Sequence, residues 1–517
     1  MTVGAVGRET PAATRPARPF IPRPFLFWAG VVLTCAGVGE HVWMFAAAAP
    51  MHFKVSMMPM DPFMWAAMAA ITVGVLASGW ALVPGGRVDG VGTVAAGAPR
   101  TGPTVSRRRV IAILSFALMV DQMKPATLAF IEPGMRAEYG LSASRVAWLP
   151  AIALTGTVVG SLVWGRAADR VGRRATILTA SLLFLGTTVC GAMPTFGGTL
   201  VMCFLMGLAA GGMLPVVYAL MTETLPPGRR AFVMVMQAGL TTTGGYMAAS
   251  GLAAVLIPLA GWRVLWFAQL PLVLVLIGLN HWIPESAAYT LSRGRPQPPP
   301  MSALLRRPHT GRTLIVSGYA LAWGLVYWGF VTFLPTLLDD SGQHGGMSAA
   351  TLLFLSSLLS VPTCVIASWL YARWSARGTM VVYAAVTAGA LVAVAVVGPS
   401  GGRFATLAAV MGLLVGTSGV IALLGPYTAE IYPTAIRGTA GGWAAAVSKS
   451  GGAFGPPLIA ALLSASGLRT TALLTALPMV VAAVAVAVRG SDPSAGSRAE
   501  PAAATITDGR RETAGVR

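Results

Sequence analysis

Charge is the scarcest resource in this chain. Only 10% of its 517 residues are Asp, Glu, Lys or Arg, where a soluble domain carries about 25%. Acid is rarer still, with 17 Asp and Glu against 36 Lys and Arg. A chain so poor in charge cannot clothe a soluble globule of this length, so its 55% of hydrophobic residues must face something other than water. Cysteine is also sparse. Cys35, Cys190, Cys203 and Cys364 all fall inside apolar runs, and no Cys-x-x-Cys spacing occurs. That argues against a disulfide framework or a metal knuckle and leaves packing thiols. No nucleophile–base constellation, phosphate-binding loop or zinc motif is present, so the chain is not read as an enzyme and no cofactor is expected. The formal charge of +19 does not imply nucleic acid, because the arginines lie between apolar runs and report topology and anionic lipid.

What is present is a series of apolar runs long enough to cross a bilayer. After a Pro- and Arg-rich tail (1–24), read as disordered and cytoplasmic, come runs at 25–48 and 62–83. A Gly/Pro/Ser/Thr linker follows at 84–109. Twelve more runs are expected at about 110–131, 145–165, 175–194, 198–222, 232–258 and 262–283, then at 312–338, 348–371, 378–398, 403–428, 438–464 and 470–488. A polar stretch, 284–311, separates the two sets of six, and a polar tail, 490–517, ends the chain. The expected fold is an all-α polytopic membrane protein of fourteen spans. The basic segments alternate on one side, which places both termini in the cytoplasm of a plasma-membrane protein. Glu132, Glu138, Asp339 and Asp340 are then expected in loops on the other side.

Between the fourth and fifth runs lies a knot of charge, Gly165-Arg-Ala-Ala-Asp169-Arg170-Val-Gly172-Arg173-Arg174. Hydrocarbon does not host so many charges, so this is expected to be a short loop at the water surface, hinged at Gly165 and Gly172. A weaker copy follows the tenth run, Ser368 to Arg377, with Ala372 in the place of Asp169. Two further pairs repeat a half-chain apart. Glu223…Pro226…Arg230 matches Glu430…Pro433…Arg437, and Gly244-Gly245 matches Gly451-Gly452. Three pairs at a consistent offset indicate two six-helix halves related by duplication.

The knot resembles the loop motif between helices 2 and 3 of the major facilitator superfamily, and the resemblance covers about 110–490. Gly261-Trp262-Arg263, Pro284-Glu285-Ser286, Gly207…Gly211-Gly212…Pro215…Tyr218…Glu223 and Glu430-Ile-Tyr-Pro433-Thr434…Arg437-Gly438 are similar to the sugar-porter branch and its organic-acid/proton symporter relatives. Two positions depart from those patterns. Cys203 precedes Phe204 where such families often carry Arg. Asp121-Gln122-Met123-Lys124-Pro125 stands where acid symporters have Asp-Gly-[Phe/Tyr]-Asp. The two N-terminal runs have no counterpart in the twelve-helix fold, and the helix 5 antiporter motif of drug exporters is missing. The resemblance implies a monomeric alternating-access transporter with the substrate between the halves, and a cytoplasmic lock formed by Gly165, Asp169, Arg170, Arg173, Arg174, Glu223, Arg230, Glu430 and Arg437.

Ionisable groups at membrane depth need a reason. Asp121 is the candidate proton carrier. Lys124 lies on the same helical face, where it either neutralises Asp121 or binds substrate. Lys449 is a second cation able to hold a substrate carboxylate, or one that snorkels to the interface. Trp323 and Tyr327 on one face, with Gln237, are further substrate candidates, and packing is the simpler reading of the aromatics. Met51, His52, Met57, Met58 and Met60 are soft ligands of a kind that suits Cu(I), although methionine is frequent throughout and packing explains it equally. The expected function is a proton-coupled uptake transporter for a small organic solute, with organic or aromatic acids among the candidates. Its expected partners are the solute, protons and membrane lipid. The rival readings are a drug or metabolite exporter and a transporter-like sensor, assembly protein or copper-related transporter.

Overall fold

The computed structural model describes residues 21–57, 61–83, 106–225, 227–285, 301–341, 348–398, 402–433 and 436–492. These are helical throughout, and no strand occurs among them. Thirteen helical segments have the length and apolarity of a membrane span. The last, Arg437–Arg489, would be about 80 Å long as one rod. It breaks at Gly467, whose φ of 74° and ψ of 177° leave the helical region. Counted on either side of that glycine, the described residues hold fourteen such helical segments.

Helices α1 (Pro24–Ala47) and α2 (Pro62–Leu82) form an antiparallel hairpin. Asp61 caps α2 by accepting from the Met64 amide at 2.8 Å. The first half then comprises α3 (Arg107–Tyr139), α4 (Trp148–Val171), α5 (Arg173–Thr187, tightening to 3-10 over Thr188–Ala192), α6 (Phe196–Thr224), α7 (Pro227–Ala260) and α8 (Leu270–Leu279, after a short turn Val264–Phe267). The second half comprises α9 (Thr310–Gly324, continuing through irregular turns into Leu334–Ser341), α10 (Ala349–Arg373), α11 (Ala376–Val397), α12 (Arg403–Ile431), and α13 and α14 on the two sides of Gly467.

The duplication seen in the sequence has a packing basis. A methyl on Gly245 of α7 would meet the Met123 amide of α3 at 2.9 Å, and one on Gly451 of α13 would meet the Leu321 carbonyl of α9 at 2.7 Å. One glycine of each repeated pair therefore lets the fifth helix of each half cross the first at backbone contact. Between halves, α4 packs on α13, α7 on α10 and α12, and the far end of α3 on 331–341. The α1–α2 hairpin lies outside this ring against α5 and α8. Met44, Phe45, Val55 and Met64 cluster with Ala192 and Phe267. At the other end of the hairpin, Phe27, Ala81 and Leu82 pack with Ala175, Leu178 and Leu182. Its other face carries exposed Trp28, Trp43, Phe63, Trp65 and Trp80, as expected of a lipid-facing surface.

Three expectations from the sequence are corrected here. Residues 165–171 are not loop: α4 continues through them, Gly165 is no hinge, and Gly172 alone turns the chain. Glu132 and Glu138 are not loop residues either. The run is expected to end at about 131, yet α3 continues through Pro133 to Tyr139 and ends at Gly140 with φ 61°. Likewise Asp339 and Asp340 belong to the helical end of α9, Leu334–Ser341.

Gly172 adopts φ 105° and ψ 157°, a region open almost solely to glycine. A Cβ there would also lie 2.7 Å from a Glu285 carboxylate oxygen. Gly172→Ala is expected to destabilise the protein by about 1–3 kcal/mol, read as a lowered midpoint of thermal unfolding in detergent. An unchanged midpoint would show that the turn is not constrained.

Candidate functional site

The chain has three lysines, and two of them lie inside the bundle. Asp121 is fourteen residues into α3 and Lys449 twelve into α13, so both lie about 20 Å from the end that carries Gly172. They come from different halves and interact electrostatically, with Tyr218 of α6 beside Asp121. Lys449 Nζ donates to Ser161 Oγ of α4 at 3.4 Å. Ser161 in turn donates to the carbonyls of Thr157 and Gly211, each at 2.9 Å. Asp121 is buried, and its Oδ1 has no hydrogen-bond partner. This leaves an underbonded carboxylate facing an ammonium across the junction of the halves.

Lys124 directs its hydrogen bonds elsewhere. Its ammonium donates to the Phe184 carbonyl at 2.8 Å and to Thr187 Oγ1 at 3.4 Å, and sits 4.2 Å from the Phe184 ring centroid. The i, i+3 spacing to Asp121 is real, but the four-carbon stem swings to α5. There the tightening into 3-10 geometry turns the Thr188 amide to Leu185 and leaves the Phe184 carbonyl free to accept. Asp121 thus interacts electrostatically with both cations, Lys449 from the other half and Lys124 from its own helix, while the hydrogen bonds of Lys124 go to α5.

On the other side of the junction, α9 opens into a π turn over Leu325–Phe330, a distortion frequent at functional sites. Trp323 and Tyr327 stack with centroids 5.0 Å apart, and Trp328 stands edge-on to both. Trp323 Nε1 donates to the Thr417 carbonyl of α12 at 2.8 Å, and Tyr319 donates to the Met380 carbonyl of α11. Only the lower part of the stripe is therefore packing. Tyr327 lines a small cavity with Pro125, Ala129, Tyr246 and Thr332. The Tyr246 hydroxyl and the Gln237 Nε2 are buried without partners.

The turn at Gly172 is clamped from within its own half. Glu285 Oε1 accepts the Arg173 amide at 2.8 Å, placing a carboxylate at the N-terminus of α5. Arg174 donates to the carbonyls of Asn280 and His281. Glu285 was legible only as part of a family string, not as this partner. In the second half, Asp492 accepts from Ser375, which caps α11. Tyr371 donates to Glu430 Oε2 at 2.7 Å. Arg230 donates to the Leu225 carbonyl at the end of α6. Beyond α12, Tyr432 meets Thr313 at 2.9 Å, and burial holds its phenol above the usual range. The side chains of Asp169, Arg170, Glu223 and Arg437 lie outside the described residues.

Sequence reasoning missed the network at the opposite end. Arg263, 1% exposed, pairs with Glu138 at 2.9 Å and donates to the Gly191 and Met193 carbonyls and the Tyr139 hydroxyl. Trp262 Nε1 also reaches Glu138, as does the Ser56 amide from the α1–α2 loop. Of the soft ligands in that loop, Met51 and His52 are exposed, while the side chains of Met57, Met58 and Met60 lie outside the described residues.

The opposite end is shut. There the far end of α3 packs on 331–341 of the second half, with Val331, Phe333 and Leu334 buried. Two six-helix halves, facing charges at mid-depth and one shut end define a multi-pass membrane transporter. The pattern of the Major Facilitator Superfamily matches residues 110–425, and the chain belongs to that family. It is 26% identical over 420 residues to a niacin transporter of Acinetobacter baylyi, covering 74% of this chain and 93% of the relative. To a 4-hydroxybenzoate transporter of Pseudomonas putida it is 28% identical over 428 residues, covering 74% and 92%. Its fold matches the xylose transporter of E. coli in a partially occluded inward-open conformation, with a TM-score of 0.61 and 16% identity over 75% of this chain and 98% of that one.

Proposed function

We propose that the protein takes up a small aromatic carboxylic acid together with a proton by alternating access. The observation that carries this reading is Asp121 and Lys449 facing one another from separate halves at one depth. A substrate carboxylate entering between them competes for Lys449, and Asp121, losing its cation, binds a proton more readily. One anion and one proton then cross together. The stacked Trp323 and Tyr327, with the unbonded Tyr246 hydroxyl nearby, offer a ring-sized apolar wall with a polar tip. The relatives named for niacin and 4-hydroxybenzoate support the same substrate class. The arginine distribution favours a cytoplasmic Gly172 end. The end at which α3 packs on 331–341 is then the outer one.

Reconstituted into liposomes, the protein is expected to accumulate labelled 4-hydroxybenzoate or nicotinate on an inward-directed pH step and to lose the gradient to a protonophore. Lys449→Gln is expected to raise the half-saturating concentration of the acid at least about tenfold, the scale of one lost charge-assisted contact. If a pH step moves neither acid, the reading fails. Extrusion driven by the same step would make the protein an exporter.

A further inference from the structure

Glu132 is not used by this mechanism. It is fully buried in α3, and neither carboxylate oxygen has a hydrogen-bond partner. It continues the face on which Pro125 and Ala129 line the small cavity with Val331 and Thr332. At this level α3 packs against 331–341 of the second half, at the shut end of the bundle. Thr336, in that facing segment, is likewise buried with its hydroxyl unpartnered.

A carboxylate sealed in such a seam without donors costs far more than the neutral acid does. Opening this end would part α3 from 331–341 and let water reach Glu132. We propose that Glu132 is a proton-operated latch: the end opposite Gly172 closes over Glu132 only after Glu132 has taken a proton from the compartment on that side. The proton stays on the carboxyl while the seam is shut and returns to the same compartment when it opens. It therefore biases the conformational equilibrium without adding to the protons carried. The charged and titratable groups whose side chains are described around the seam are Arg136 one turn further along α3, Tyr246 of α7, the Glu138–Arg263 pair with Tyr139, and Arg145 of the short turn Ala143–Val146. The inference rests on the alternating-access reading above, but its test needs no transported solute, so the two can fail separately.

The test places spin labels at Ser144 and Ser348, both exposed at this end on opposite halves, in full-length protein with the four native cysteines replaced. Distances are measured in nanodiscs across pH in an Asp121→Asn background, so that Asp121 cannot supply the response. The closed population is expected to grow as pH falls, by up to about tenfold per pH unit, the limit for one linked proton. Glu132→Gln is expected to stay closed at every pH, and Glu132→Asp to keep a pH response. Distances that ignore pH before Glu132 is changed would overturn the latch, and so would an undiminished pH response in Glu132→Gln. Should Glu132→Gln not fold, the first of these measurements still decides.

Discussion

Replacing Asp121 with Asn is expected to abolish pH-driven accumulation of solute while leaving counterflow exchange intact. Asn resembles the protonated acid in shape and lacks its charge, so the carrier can reorient loaded but no longer needs a proton to do so. The effect is predicted to be large because Asp121 has no substitute at its depth. Lys124, the nearest alternative ionisable group on the same helix, is committed to the Phe184 carbonyl and Thr187. Accumulation and counterflow are measured in the same liposomes. Undiminished accumulation in the variant would remove Asp121 from the coupling. Loss of both activities would mean that its carboxylate positions Lys449 instead.

The second large effect concerns folding. Arg263→Met is expected to cost about 3–5 kcal/mol, the usual penalty for stripping one partner from a buried ion pair. Glu138 would be left in the seam between α3 and α8 without its cation, and the Gly191 and Met193 carbonyls would lose their donor. Unfolding followed by tryptophan fluorescence in denaturant measures the loss. A double variant with Glu138→Gln should recover part of it, because no charge then remains to be buried. A single variant as stable as the native protein would mean that water already reaches the pair.

The architecture was largely legible, because run length, arginine placement and repeated motifs each act locally on the chain. The pairs Gly244-Gly245 and Gly451-Gly452 could be matched by offset alone, but which glycine of each pair sits at the helix crossing could not. The site was legible in its residues and illegible in its partners. Asp121 and Lys449 stand out because hydrocarbon makes any charge conspicuous, but nothing local says that α13 brings Lys449 opposite α3. Lys124 misled for a related reason: helical spacing fixes where a Cβ points, while a long stem follows whichever carbonyl is free. Glu132 was misplaced because the apolar run ends at about 131, whereas α3 continues to Tyr139 with Gly134 close against Trp262, a tertiary fact that no local pattern encodes.

Glu285 and Asp492 share a position that the two halves inherited in common. Each lies just past the sixth helix of its half, and each returns to the turn where the third helix begins. In effect each half is buckled: the strap that leaves its last helix is fastened back to its own waist. A buckled half resists being pulled open like a fan, so deformation is diverted from its interior to the surfaces it shares with the other half. The free energy of switching is then set by a few seams, α3 with α9, α4 with α13 and α7 with α10. Cutting one buckle should soften one half alone and turn a crisp two-position device into one with intermediate stops.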